Sequence, residues 1–300
     1  MNRSRSAEYV APEDGPDPDN HVSGRAAALQ PPTVVKPPRG LELLPVRELW
    51  ASRELLYFLV WRDLKVRYKQ TALGVAWIVL QPIALTAMFA LVFGRFLSAP
   101  SGRLPYSVFV LAGLVPWQLF AAALTRSSTS LVANEHLITK IYFPRLLIPI
   151  SAALSGLIDL FCSLLVLGVL LAYRGVEVSA IVLVLPVLVL LTLTAAIGVG
   201  LLLSALNVRY RDVQNMIPFL SQIWLFATPI AYASTLVPSS WHWFYDLNPM
   251  VGVVEGFRWA IGGENGVPHS IFSSMAVAAI LLIGGLIYFR RAERDFADVV

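Results

Sequence analysis

The sequence predicts an all-α polytopic membrane protein, and two properties of its 300 residues indicate this fold class. Hydrophobic residues make up 57% of the chain and charged residues only 14%, which excludes an ordinary soluble protein. Charged residues are also absent from residues 71–94, 104–125, 178–208, 213–245 and 265–289. A helix of roughly 20 apolar residues crosses the hydrocarbon core of a bilayer, and each of these runs is long enough to form one.

These runs, together with a stretch whose single charge is Asp159, predict six transmembrane helices. The six spans are placed near residues 72–97, 106–125, 146–173, 179–206, 214–233 and 269–289, within a transmembrane domain of residues 71–289. Asp159 is predicted to pair with a Ser or Tyr at a helix interface or, alternatively, to face a water-filled path. Cys162 is the one cysteine and lies inside a span, so neither a disulfide framework nor a cysteine-based metal site is expected.

The two ends of the chain differ from the spans in composition. Residues 1–40 hold seven prolines, five basic and five acidic residues, which predicts a disordered cytoplasmic tail. Residues 41–70 mix apolar and charged side chains at near-helical spacing and predict an amphipathic interface helix on the membrane surface. Residues 290–300 are predicted to form a cytoplasmic C-terminal tail.

The distribution of positive charge predicts the orientation of the spans. With the N-terminus inside, 19 of the 23 Lys and Arg residues fall on the cytoplasmic side, and four fall outside. Cytoplasmic loops are enriched in Lys and Arg, so both termini are predicted to be cytoplasmic. The long outer connection at about 234–262 is rich in Trp, Phe and Tyr, and it predicts short re-entrant helices rather than a free loop.

The chain lacks the motifs of an enzyme or a self-powered pump. It has no Gly-x-x-x-x-Gly-Lys-Ser/Thr phosphate loop, and its four histidines are scattered. No nucleophile stands with a base, so we expect neither a catalytic residue nor a metal, and we expect no nucleic-acid partner. Ion-driven transporters usually keep several ionisable groups at mid-membrane depth, whereas here only Asp159 qualifies. Energy for transport would therefore come from a second, ATP-hydrolysing chain.

The cytoplasmic connection between spans two and three is the expected contact for that second chain. Residues 134–144 predict a short helix that Asn134 caps and Pro144 ends. Its apolar and aromatic side chains suit insertion into a cleft of a partner, and the alternative is that they pack back on the bundle. The side chains assigned to ATPase coupling are Glu135, His136, Ile138, Lys140, Tyr142, Phe143 and Arg145.

Several motifs resemble one transporter family. The longest reads Trp61-Arg62-Asp63-Leu64-Lys65-Val66-Arg67-Tyr68-Lys69-Gln70-Thr71-x-Leu73-Gly74-x-x-Trp77-x-x-x-Gln81-Pro82. Others are Tyr142-Phe143-Pro144-Arg145 with Pro149, Asn207-Val208-Arg209-Tyr210-Arg211-Asp212, and Pro229-Ile230 followed by Leu247-Asn248-Pro249-Met250 and Glu255-x-x-Arg258. In order and spacing they resemble the type-2 (ABC-2 type) ABC exporter permeases that move O-antigen, capsular polysaccharide or teichoic acid. The resemblance extends from about residue 41 to the C-terminus.

The resemblance implies an assembly in the bacterial cytoplasmic membrane. Its parts would be a homodimer of six-span subunits, two copies of a cytoplasmic ABC ATPase that holds ATP and Mg, and surrounding membrane lipids. The chain itself would carry no cofactor. The substrate would be an undecaprenyl-diphosphate-linked glycan that enters from the inner leaflet. Residues 45–69, 134–144 and 234–262 would correspond to the interface helix, the coupling helix and the short outer helices of the family.

Two sets of residues are the expected contacts for this substrate. Four cations at the inner face, Arg62, Lys65, Arg67 and Lys69, would bind the lipid diphosphate, or they would serve only as a headgroup anchor and topology signal. A glycan channel should offer aromatic planes and amides with few fixed charges, although most such residues in spans only pack or anchor. The candidates for the channel or its exit are Trp77, Gln81, Tyr106, Trp117, Gln222, Trp224, Tyr232, Trp241 and Trp243, with Gln118 as a further hydrogen-bonding partner.

The sequence leaves two other functions open. An exporter of the same architecture could move a lipid or a drug. A membrane enzyme that modifies a glycolipid would need clustered Asp, Glu or His near one interface. The long outer connection offers Asp246, Glu255 and Glu264, but on the side away from cytoplasmic nucleotide sugars.

Overall fold

The computed structural model describes residues 50–69, 74–140, 143–263 and 266–293. Within these ranges the regular structure is helical, which confirms the predicted fold class. The α-helices are α1 (Arg53–Tyr68), α2 (Gly74–Phe89), α3 (Tyr106–Ala133), α4 (Glu135–Lys140), α5 (Leu147–Leu154), α6 (Leu157–Arg174), α7 (Leu185–Arg209), α8 (Val213–Ala227), α9 (His242–Asp246), α10 (Pro249–Gly262) and α11 (Ser270–Ala292). The predicted tail at 1–40, the start of the predicted interface helix at 41–49 and the end of the C-terminal tail at 294–300 lie outside the described residues.

Five helical segments of the described chain are long and apolar enough to cross a membrane. They are Ala76–Phe96, Tyr106–Ala133, Leu147–Arg174, Ala180–Arg209 and Ser270–Ala292. Each overlaps one of the predicted spans. The first includes a π-helical continuation of α2 over Ala90–Phe96, the third joins α5 to α6, and the fourth adds a 3-10 turn over Ala180–Val184 to α7.

The predicted span at 214–233 is represented by a helix of only 15 residues, α8. It ends because Thr228 is extended, with φ −104° and ψ 137°, as expected for a residue that precedes a proline. The count of six spans is therefore not confirmed.

Helix α3 runs through the middle of the bundle. It contacts α2, α5, α6, α7, α8 and α10, and most of its side chains are buried. Its fully buried residues include Leu111, Leu114 and Phe120, which join Phe257 of α10 in the main hydrophobic core. The residues around the middle of α3 are thus held by neighbours on several sides.

Helices α7 and α11 cross at very short range because glycines lie on both. A Cβ added to Gly198 of α7 would sit 2.5 Å from the backbone nitrogen of Leu282, and one added to Gly285 of α11 would overlap the Gly198 carbonyl. Small residues that let two backbones approach are the usual contact between membrane helices.

The predicted outer region at 234–262 contains two short α-helices, α9 and α10. Helix α10 is almost entirely buried against α3, α7 and α11. It begins at Pro249 after Asn248, whose Oδ1 accepts a hydrogen bond from the Met250 nitrogen at 3.0 Å. It ends at Gly263, where φ is +64°. Short helices therefore occur where they were expected, and their depth in the membrane stays a prediction.

Candidate functional site

A cavity of about 800 Å³ lies among α1, α2, α3, α6 and α8. Its volume is within the range of about 300–1,000 Å³ that ligand pockets usually have. Three regions that are distant in sequence form it, since its walls include Arg67 of α1, Trp117 of α3 and Asp159 of α6. The cavity has a charged part and an aromatic part. The sequence predicted only some of the residues in each.

The charged part is the Asp159 cluster, which we define as Arg67, Tyr68, Arg126 and Asp159. Asp159 Oδ2 accepts a hydrogen bond from Arg67 Nη1 at 3.0 Å and a second, shorter one from Arg126 Nη2. Asp159 Oδ1 accepts a hydrogen bond from the Tyr68 hydroxyl at 2.6 Å. The predicted pairing of this carboxylate with a Tyr is therefore observed, and two arginines join it.

The Tyr68 hydroxyl keeps its proton at physiological pH and therefore remains a hydrogen-bond donor to Asp159. Partial burial raises the pKa of Tyr68 above its ordinary value of 10.0, and the nearby Asp159 carboxylate raises it further. The two guanidinium groups against one carboxylate leave the cluster with one net positive charge at neutral pH. Both guanidinium groups also lie 3.4 Å from the Ser155 hydroxyl.

The aromatic part of the cavity contains three of the predicted channel residues. Trp77 and Gln81 line it from α2, and Trp117 lines it from α3. Trp77 is 61% exposed, so this wall opens to the exterior of the subunit, whereas Trp117 is buried against Phe120 with ring centroids 5.5 Å apart. Gln118 also lines the cavity, and its Nε2 is buried and has no hydrogen-bond partner within the described part of the chain.

Three other channel candidates are hydrogen-bonded elsewhere in the bundle. The Tyr106 hydroxyl donates to the Ala231 carbonyl at 2.6 Å, and Trp224 Nε1 donates to Asn248 Oδ1 at 2.9 Å. The Tyr232 hydroxyl contacts a backbone carbonyl of α8 at 3.1 Å. These rings hold the outer connection to α3 and α8 within one subunit, and they do not line the cavity.

The remaining channel candidates are exposed. Gln222 lies on the surface of α8, and Trp241 and Trp243 are exposed, each in an edge contact with the Phe244 ring. Their predicted contact with a glycan stays a prediction.

The four inner-face cations do not form one group. Arg67 belongs to the Asp159 cluster, whereas Arg62 donates to Asp63 and, at 2.8 Å, to Asn134 Oδ1 at the start of α4. Lys65 and Lys69 are exposed. The binding of a lipid diphosphate by these four residues stays a prediction.

The predicted coupling segment contains a helix, α4, that is shorter than residues 134–144. Asn134 directly precedes it, but the Asn134 side chain bonds to Arg62 and to the Ser130 carbonyl. Ile138 and Phe143 pack against a hydrophobic cluster that includes Leu131 and Phe289. These two side chains therefore pack on the bundle, which was the alternative to insertion into a partner.

The other coupling candidates are distributed around that helix. His136 is exposed and Glu135 is half-buried, and Arg145 Nη1 donates to the Glu293 carbonyl at 3.0 Å. The side chain of Lys140 and the whole of Tyr142 lie outside the described residues. His136 thus lies on the exposed side of α4, and the role of this segment in ATPase coupling stays a prediction.

Arg126 is the functional candidate that the sequence did not reveal. It was counted in a cytoplasmic loop, but α3 continues to Ala133, so Arg126 lies inside the helix and reaches Asp159. Helical spacing could have found it, because Arg126 follows Gln118 and Ala122 along one face of α3 at intervals of eight and four residues.

Comparison with known proteins gives one consistent family. The model of the family described as ABC-2 type transporter matches residues 54–261. The O-antigen export system permease protein RfbA of Myxococcus xanthus is 31% identical over 259 residues, which are 85% of this chain and 98% of that protein. The protein of the same name from Klebsiella pneumoniae is 30% identical over 82% of this chain and 95% of its own length. The polysialic acid transport protein KpsM of Escherichia coli is 26% identical over 77% of this chain and 91% of its own length.

Proposed function

The chain belongs to the ABC-2 type transporter family, and from that premise we propose that it is the membrane permease subunit of an ATP-driven polysaccharide exporter. Its cargo would be a glycan of O-antigen, capsule or teichoic-acid type, attached to undecaprenyl diphosphate and moved across the cytoplasmic membrane. The observation that carries this proposal is the similarity to O-antigen export permeases over 82–85% of the chain.

The cavity supports a cargo that is both polar and weakly apolar. Sugar rings have hydroxyl groups at their edges and apolar faces that stack on aromatic side chains. Trp77 and Trp117 offer such planes, and Gln81 and Gln118 offer amide groups beside them.

The energy source in this proposal is a separate chain. The sequence contains no phosphate loop, so ATP and Mg would be held by a cytoplasmic ATPase subunit, present in two copies beneath a homodimer of this chain. Residues at α4, foremost the exposed His136, would contact that ATPase. In this arrangement both termini are cytoplasmic, as the 19 inner Lys and Arg residues favour.

Reconstitution tests the proposal directly. The chain and its cognate ATPase are placed together in lipid vesicles that contain a fluorescent undecaprenyl-diphosphate-linked glycan, and movement of the glycan between leaflets is measured. We expect movement with ATP and Mg, and none when the ATPase is replaced by a variant that binds ATP without hydrolysing it.

The competing functions give different results in the same vesicles. Uphill movement by the chain alone, driven by an ion gradient, would contradict the dependence on an ATPase. Movement of apolar drugs or simple lipids in preference to the glycan would favour the alternative cargo.

A further inference from the structure

The cavity among α1, α2, α3, α6 and α8 is elongated, with its charged groups at one end. Along α3 its walls extend from Arg126 to Leu114, and along α2 from Trp77 to Phe89. Twelve residues separate the members of each pair, which corresponds to about 18 Å of helix. The Asp159 cluster includes Arg126, so the polar end is a single region and the remaining wall is mostly apolar.

The polar end carries more positive than negative charge. Arg67 and Arg126 are both hydrogen-bonded to the one carboxylate of Asp159, and these three are the charged side chains in the cavity wall. All three side chains are between 22% and 30% exposed, so they are accessible from the cavity while partly shielded from water. Guanidinium groups bind phosphate oxygens through paired hydrogen bonds. In the cavity the two guanidinium groups share one carboxylate oxygen of Asp159 and the Ser155 hydroxyl, so a phosphate with several oxygens would give them further acceptors.

We propose that this cavity binds one phosphate-headed lipid within each subunit. The phosphate would contact the guanidinium groups of Arg67 and Arg126, and the hydrocarbon chain would lie along Leu85, Phe89 and Leu114. Asp159 would compete with the lipid phosphate for the two guanidinium groups, and it would keep both arginines in place while no lipid is bound. Since Trp77 is largely exposed, the chain of the lipid could enter sideways from the membrane.

Two sources supply a lipid of this chemistry. One is the polyprenyl carrier of the cargo, and for this source the inference rests on the proposed function. The other is an anionic phospholipid of the membrane. The phosphate head and the long chain are common to both, so the cavity is assigned to that shared chemistry.

Lipid binding to the intact complex provides the test. The chain is purified with its ATPase in a neutral detergent, and bound lipid is counted by native mass spectrometry during titration with undecaprenyl phosphate or phosphatidylglycerol. The matched lipids without net negative charge are undecaprenol and phosphatidylcholine. We expect at least one of the phosphate-headed anionic lipids to bind more tightly than its matched lipid, and which of the two does so identifies the source.

Substitutions in the Asp159 cluster should change this binding in opposite directions. Arg126→Gln removes a charged donor and should weaken binding of the anionic lipid about tenfold, while Asp159→Asn removes the competitor and should strengthen it. Ala122→Phe fills the cavity and should weaken binding without altering charge. Arg53→Gln, which removes a cation of α1 outside the cavity, is the control and should leave binding unchanged.

The opposite signs separate a binding site from a structural ion pair. If the cluster only stabilises the fold, Arg126→Gln and Asp159→Asn will both lower the unfolding temperature and neither will raise lipid affinity. Equal binding of charged and matched lipids to the wild-type complex would also overturn the inference. Neither result affects the proposed export function, which fails only if the wild-type complex does not move the lipid-linked glycan.

Discussion

At the scale of single residues, Arg258 is the charged residue that is buried most deeply in the described chain. It is 9% exposed, and its guanidinium group lies over the Phe109 ring, 3.4 Å from the centroid. Arg258 Nε donates to the Phe109 carbonyl at 3.2 Å, and Nη2 donates to the Ile230 carbonyl at 2.9 Å. The planar group thus joins α10 to α3 and to the turn that follows α8, and its shape matters as much as its charge.

Arg258→Lys should therefore destabilise the subunit although the charge is kept. An ammonium group cannot stack on Phe109 and reach both carbonyls, so we expect a loss of about 1–3 kcal/mol in the free energy of unfolding. The measurement is the unfolding midpoint of the purified protein in one detergent. Arg209→Lys is the matched control, because Arg209 is exposed and its guanidinium group also lies near a ring, that of Tyr210 at 5.7 Å. Equal midpoints for the two variants would contradict this account.

Asp159 illustrates how far a residue's role could be predicted from the sequence. A lone carboxylate in an apolar run must find a donor, and that requirement predicted a Tyr or Ser partner. The actual donors Tyr68, Arg67 and Arg126 come from segments 91, 92 and 33 residues away, and no local pattern specifies such contacts. The role of Arg126 was not predicted for a further reason: it precedes a run of Ser and Thr residues, and such a polar run is typical of a loop.

At the scale of helices, that polar run remains helical because its hydroxyl groups are satisfied locally. Ser128 Oγ donates to the Leu124 carbonyl at 2.7 Å, and Thr129 Oγ1 donates to the Thr125 carbonyl at 3.0 Å. Helix α3 therefore continues to Ala133, beyond residue 125 where span two was predicted to end. The predicted span five differs in the opposite way, since Pro229 ends helix α8 at Ala227 although the sequence stays apolar.

The crossing of α7 and α11 gives a prediction with an internal control. Gly285→Ala would place a methyl group against the Gly198 carbonyl, so the helices must separate, and we expect a loss of about 1–3 kcal/mol. Gly284→Ala lies one residue earlier on the same helix, where an added Cβ meets no atom within 4 Å. That variant should be neutral or more stable by up to about 1 kcal/mol, because alanine favours the helix.

The prediction is tested by comparing the unfolding midpoints of the two glycine variants at equal detergent and lipid content. A similar loss in both would mean that helix propensity or lipid contact, rather than the close crossing, governs this region. Hydropathy predicted both helices but could not reveal that these two are neighbours, because the pairing of spans depends on contacts between distant segments.

At the scale of the whole molecule, hydrogen bonds connect the segments that were predicted to be cytoplasmic. Arg62 of α1 bonds to Asn134 before α4, and Asn207 near the end of α7 donates to the Ser128 carbonyl at 3.2 Å. Arg145 bonds to the backbone just after α11. These contacts gather the four segments at one end of the bundle, which is the grouping that the predicted topology requires. Which end faces the cytoplasm stays a prediction that rests on charge.

Cysteine labelling can establish that orientation. In a Cys162→Ser background, His136→Cys and Tyr173→Cys each introduce one thiol, the first on α4 and the second near the far end of α6, where Tyr173 is 82% exposed. A membrane-impermeant maleimide added to intact cells should label position 173, whereas position 136 should react only after the membrane is permeabilised. The reverse pattern would invert the topology.

The same thiol at position 136 tests the contact with the ATPase. If the exposed side of α4 docks on that subunit, the thiol should react more slowly in the purified complex than in the chain alone, while the rate at position 173 should not change. His136 suits this measurement better than Ile138 or Phe143, because those two side chains pack on the bundle and their replacement would disturb the fold. Equal rates at position 136 with and without the ATPase would remove α4 from the coupling role and would favour residues 207–212 as the contact with the ATPase.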